Sequence, residues 1–151
     1  EQERRQRSWE EYRRAALATE ACTFSTSTEP PDPLESQGIC AIIGITGSHS
    51  GRVILDASHQ TAAKFAETLL DRAASPDDSL AGMAEIANVV CGRGISRANR
   101  IAKGMDLRIT PASLLEGKKL AISNLPNHHV LSVTADTPIG SFLLSMEMLE
   151  E

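Results

Sequence analysis

The chain has 151 residues, 41% of them hydrophobic and 23% charged, with a net charge of −5 and a pI of about 5.4. That composition suits a single globular domain, and its acidity argues against a generic nucleic-acid binder, which needs concentrated Lys and Arg for phosphate contacts. No apolar run approaches the ~20 residues that span a bilayer.

The opening "EQERRQRSWEEY" lacks the apolar centre of a signal peptide, so a cytoplasmic location is expected, with residues 1–7 a charged N-terminal extension. A chain starting at Glu1 rather than Met is expected to have lost something upstream. Ser8 to Ala21 follows as a predicted helix, with Trp9, Tyr12 and Ala16 on one face. The Thr-rich "CTFSTSTE" alternates like an edge strand, and "PPDPLESQG" reads as a loop. "ICAIIGITG" and "GRVILDAS", joined by "SHS", predict a hairpin of buried strands. "HQTAAKFAETLLDRA" is amphipathic, with Phe65, Leu69 and Ala73 four residues apart.

A second helix is expected to start at "SPDDS", where Ser75 can cap, Pro76 suits the first helical position and Asp77 and Asp78 complement the helix dipole. It should run to about Lys103, with a weak point at "CGRG" because each Gly costs about 1 kcal/mol relative to Ala. "MDLRITP" predicts a short strand stopped by Pro111, "SLLEGKKLAISNLPN" an irregular connection, and "HHVLSVTADTPIGSFLLSMEML" a closing hairpin around "DTPIG". The order helix, edge strand, linker, hairpin therefore occurs twice, which points to an α+β fold built from two similar halves: about six mostly antiparallel strands and three helices in one domain over residues 1–151.

In the second helix, "MAEIANVVCG" carries Glu85 and Asn88 in an otherwise apolar run. At 100° per residue, Glu85, Asn88, Gly92 and Asn99 share a narrow sector flanked by Ala81 and Ser96, while Leu80, Met83, Ile86, Val89 and Val90 lie mostly elsewhere. The stripe is expected to face outward, and its small residues would let another protein approach closely.

Twenty-two residues separate Asn88 from Pro111. The pattern E-x-x-N, twenty-two residues, P resembles the signature of the CheC, CheX and FliY family of chemotaxis phosphatases. That signature places Asp or Ser four residues before the Glu, where this chain has Ala81, with Asp78 and Ser79 nearby but out of register. A single motif copy resembles CheX rather than CheC. The resemblance implies a CheC-like fold of two α-β-(X)-β-β halves, a homodimer, and hydrolysis of the aspartyl phosphate on a CheY-like receiver domain in chemotaxis or a related two-component pathway. Asn88 would orient the attacking water and Glu85 would grip the receiver's Lys. No cofactor would be bound by this chain, since Mg²⁺ would sit on the phosphorylated partner. A noncatalytic binding or scaffold module of the same fold is the alternative reading.

Other candidates carry weaker signals. "GITGSHSG" and "CGRG" lack the residues of a phosphate loop or dinucleotide fingerprint. His49, His59, His128 and His129 lack metal-ligand spacing, and Cys22, Cys40 and Cys91 are an odd set that reads as buried free thiols. Arg93, Arg97, Arg100 and Lys103 form a basic stripe near the helix end, where the dipole favours cations, and read first as a solvated face and second as a contact for an acidic partner.

Overall fold

The structure is a computed structural model that describes residues 23–150. The helix expected over Ser8–Ala21 and the thiol of Cys22 lie outside the described residues. Alternating apolar residues build the central hairpin, β3 (Gly38–Gly47) and β4 (Gly51–Ser58). Ile39, Ala41, Ile43 and Ile45 point to one face with Val53, Leu55 and Ala57, all buried, as the two-residue period of a strand requires. A second long hairpin, β8 (His128–Thr137) and β9 (Gly140–Leu149), lies beside it. Gly140 has a positive φ of 135°, and a Cβ there would stand 2.1 Å from Thr61 Oγ1, so only Gly fits this turn.

The main sheet has the order β1-β8-β9-β4-β3-β5, where β1 is Thr23–Ser27 and β5 is Leu107–Ile109, and β6 (Ser113–Glu116) also pairs with β3. All pairings are antiparallel. The two halves read from the sequence are present but interlocked: β1 pairs with the second hairpin, whereas β5 and β6 pair with the first. Pro111 interrupts the β5–β6 edge. Between the pairs Ile45↔Ile109 and Ile42↔Ser113, two residues of β3 oppose three, a bulge where Pro has no N–H for the ladder.

The loops expected over "PPDPLESQG" and "SLLEGKKLAISNLPN" hold strands too short for any periodicity to show: β2 (Leu34–Glu35), β6 and β7 (Ala121–Ile122). β2 and β7 pair with each other. Polar groups beneath them are matched. Asp56 accepts from Ser36 Oγ at 2.6 Å and from the Gln37 backbone N–H at 2.8 Å, and Arg52 bonds both the fully buried Glu147 carboxylate and the Ser123 carbonyl. Burial raises the pKa of Asp56 and lifts the neighbouring Cys40 thiol to about 12.

Two helices cover the other face. α1 (His59–Leu70) is capped by Ser58, whose hydroxyl accepts from Thr61 N–H at 3.1 Å, and Phe65 meets Phe142 edge-on with centroids 6.4 Å apart. α2 (Pro76–Ile101) begins with a full capping box: Ser75 Oγ accepts from Asp78 N–H, and Asp78 accepts from Ser75 N–H. These bonds and the Arg72 guanidinium lower the Asp78 pKa to about 2. The helix runs unbroken through "CGRG", because packing of Ala87 and Cys91 on the sheet outweighs the propensity of two glycines.

Candidate functional site

α2 holds its buried side, Ser79, Gly82, Met83, Ala87 and Cys91, against α1 and the sheet, which leaves the turn carrying Glu85 and Asn88 in solvent. Both side chains are exposed, and neither has a hydrogen-bond or ion-pair partner among the described residues. Around them stand Ala81, exposed, and Gly92, half-buried. A Cβ added at Gly92 would meet nothing within 4 Å, whereas one at Gly82 would meet Phe65 and Ala66 of α1 at 3.4 Å. Gly82 thus lets two helices of this chain approach each other, and Gly92 leaves open space above the outward stripe.

Two sequence expectations change here, at Asn99 and Val90. Asn99 does not belong to the outward stripe: its side chain donates to the Leu107 carbonyl at 3.0 Å and accepts from the Leu107 N–H at 2.8 Å, tying the helix end to β5. The helix crosses the sheet edge there, so a sector that faces solvent at Glu85 faces protein at Asn99. Val90 is 41% exposed rather than buried. Asp78 and Ser79 are also committed elsewhere, Asp78 to the capping box and to Arg72 at 2.9 Å, Ser79 to the Ser75 carbonyl at 3.3 Å. Neither is available to stand in for the acid that the motif places at Ala81.

The remaining candidates have structural roles. The β3–β4 turn is clasped to the start of β5, with Ser48 Oγ accepting from Asp106 N–H at 2.9 Å. His59 pairs with Glu116 at 2.9 Å, and His128 and His129 point to opposite faces of β8. Cys40 and Cys91 are buried free thiols, and burial raises Cys91 to about 11, far from a reactive thiolate. A cavity of about 580 Å³ lies at the β1–β8 edge, bounded by Glu29, Asn124, His128 and Met148, and shares no residue with α2. No described helix is long and apolar enough to cross a membrane.

Residues 39–136 match the family described as chemotaxis phosphatase CheX, a stretch that runs from β3 through β4, both helices and the Glu85–Asn88 turn into β8. The chain belongs to the CheX family. Its fold agrees with a CheX from Desulfovibrio desulfuricans, at 18% identity and a TM-score of 0.75 over 96% of this chain and 99% of that one. It agrees equally with a Borrelia burgdorferi CheX solved in complex with CheY, BeF3 and Mg, at 21% identity and a TM-score of 0.75 over 98% and 97% of the two chains. A FliY from Thermotoga maritima is more distant, at 12% identity and a TM-score of 0.56 over 88% and 81%. No curated protein is similar enough in sequence to count as a relative.

Proposed function

We propose that this CheX-family chain hydrolyses the aspartyl phosphate of a CheY-like receiver domain, with Glu85 and Asn88 as the residues that act on it. The observation that carries the reading is a carboxylate and a carboxamide one helical turn apart, exposed and without partners in their own chain, above small residues that leave room for a second protein. Water attacks phosphorus in line, the bond to the receiver's aspartate oxygen breaks, the aspartate leaves as a carboxylate, and the water's proton ends on inorganic phosphate or solvent. Such a reaction depends on positioning more than on covalent chemistry by the enzyme.

Asn88 offers a donor and an acceptor and does not titrate near neutral pH, so its role is to hold the water in line. Glu85 makes a charge-assisted contact with a receiver Lys, which sets the register for Asn88. One carboxylate and one amide do not make a Mg²⁺ site of this chain's own, and in this reading the ion stays with the phosphorylated partner, where it neutralises phosphoryl charge. Homodimer formation belongs to the same reading.

Ala81 favours a second reading, a noncatalytic module that binds the phosphorylated receiver, since an exposed methyl stands where the motif has Asp or Ser. Turnover separates the two. Substoichiometric chain mixed with a phosphorylated receiver should release many equivalents of phosphate if it is a phosphatase, whereas a binder protects no more receiver than its own amount. Phosphate loss at the receiver's unassisted rate, with wild type, Glu85→Ala and Asn88→Ala all equal, removes the enzymatic reading.

A further inference from the structure

α1 and α2 are joined by only five residues, 71–75, and pack side by side at Phe65, Ala66 and Gly82. α1 has 12 residues and α2 has 26, so at 1.5 Å per residue α1 flanks about 18 Å of a helix about 39 Å long. The consequence is visible along one side of α2. Gly82 is buried and Ile86 half-buried on that side, but Val90 is 41% exposed and Ile101, further along, 76% exposed. Between them at three- and four-residue steps stand Arg93, Arg97 and Arg100, all exposed and with no ion-pair partner among the described residues. From Val89 to Lys103 the chain carries four cations and no acid, although the whole chain has a net charge of −5.

Val90 and Ile101 stand at the two ends of the arginine run, and exposed aliphatic groups beside Arg are what a protein interface presents. We infer that this overhanging ridge, Val90, Arg93, Arg97, Arg100 and Ile101, is a second contact zone for the phosphorylated receiver, engaging an acidic part of its surface beside the phosphorylated site. The inference rests on the proposed function. Its charge logic is independent of Glu85 and Asn88: an aspartyl phosphate held with Mg²⁺ needs further carboxylates around the metal, so the surface about it is rich in anions. Arg93 and Arg100 begin about 8 Å and about 18 Å beyond Asn88 along the axis and stand about 80° and about 60° around the helix from Glu85, so their long side chains are the part of the ridge nearest the footprint of a domain docked on Glu85, with Arg97, Val90 and Ile101 further round. Opposite charges of this kind steer association and fix register.

The test titrates a CheY-like receiver loaded with BeF3⁻ and Mg²⁺ into the full chain, at low and at physiological ionic strength, for wild type and for R93E/R97E/R100E. The variant should bind about tenfold or more weakly and lose most of the salt dependence of the wild type, with kcat at saturating phosphorylated receiver unchanged. R93K/R97K/R100K should retain most of the affinity. Should the triple reversal unfold the chain, the single variant R97E carries the test with a smaller shift. Wild-type binding that charge reversal leaves unaltered overturns this inference and leaves the phosphatase reading standing; no binding by the wild type overturns both. Reversal that changes the sedimentation of the chain but not receiver affinity assigns the ridge to a second copy of this chain and also overturns the inference.

Discussion

The polar groups inside this protein and those on the outer side of α2 are treated in opposite ways. Under the linkers, Asp56 is held by Ser36 and Gln37, Glu147 is held by Arg52, and no described buried side-chain polar atom lacks a partner. On α2, Glu85, Asn88, Arg93, Arg97 and Arg100 stand with none among the described residues. A buried polar group must be matched because leaving it bare costs 1–3 kcal/mol, more when it is charged, while an exposed one is matched by water and stays available. The difference separates the polar residues that serve the fold from those that remain accessible to another molecule.

The sharpest way to break that contrast is to remove a partner from the interior. Arg52→Met strands the Glu147 carboxylate in the core and should lower unfolding free energy by about 3–5 kcal/mol in urea titrations, with most of the loss recovered in R52M/E147L. Removing a group from the outer turn should act in the other way. Asn88→Ala should leave thermal stability within about 0.5 kcal/mol of wild type yet slow receiver dephosphorylation about a hundredfold, equivalent to about 2.7 kcal/mol at the transition state. Ala81→Asp sharpens the same site, since adding the missing acid should raise the turnover rate if the outer turn is catalytic; an unaltered rate in phosphate-release assays speaks for the binding module.

Gly92→Ala should separate folding from docking in a single substitution. With nothing within 4 Å of the new Cβ, the change should stabilise the chain by about 1 kcal/mol while weakening receiver binding, measured by melting and by titration side by side. The smallest effect belongs to the capping box. The Asp78 pKa is lowered from 3.8 to about 2, so its contribution to stability is fully present above about pH 4 and is lost as pH falls through 2; Asp78→Asn should lower stability slightly at neutral pH and flatten that acid limb, read from melting curves across pH.

Much of this was legible in the chain. The two hairpins announced themselves through runs of alternating or continuous apolar residues broken by "SHS" and by "DTPIG", and the start of α2 through Ser75, Pro76 and two aspartates. The outward position of Glu85 and Asn88 followed from helical periodicity. Periodicity failed where the environment changes along an element. It placed Asn99 in the stripe because it assumes one direction of burial along the whole helix, and β5 lies against that end. It buried Val90 because the pattern does not tell where a neighbouring helix stops. The basic stripe left a solvated face and an acidic-partner contact both open in the sequence; the exposure of Val90 and Ile101 at its two ends came from the fold.

The sequence by itself determined the local elements, their caps and the solvent side of the Glu85–Asn88 turn, because turn chemistry, capping and side-chain period are properties of neighbouring residues. Tertiary structure alone decided that each half lends its edge strand to the other half's hairpin, that the two linkers meet as β2 and β7, and that α1 ends early enough to leave the arginine ridge bare. Those outcomes depend on which distant surfaces bury each other best, and no window along the chain contains both partners.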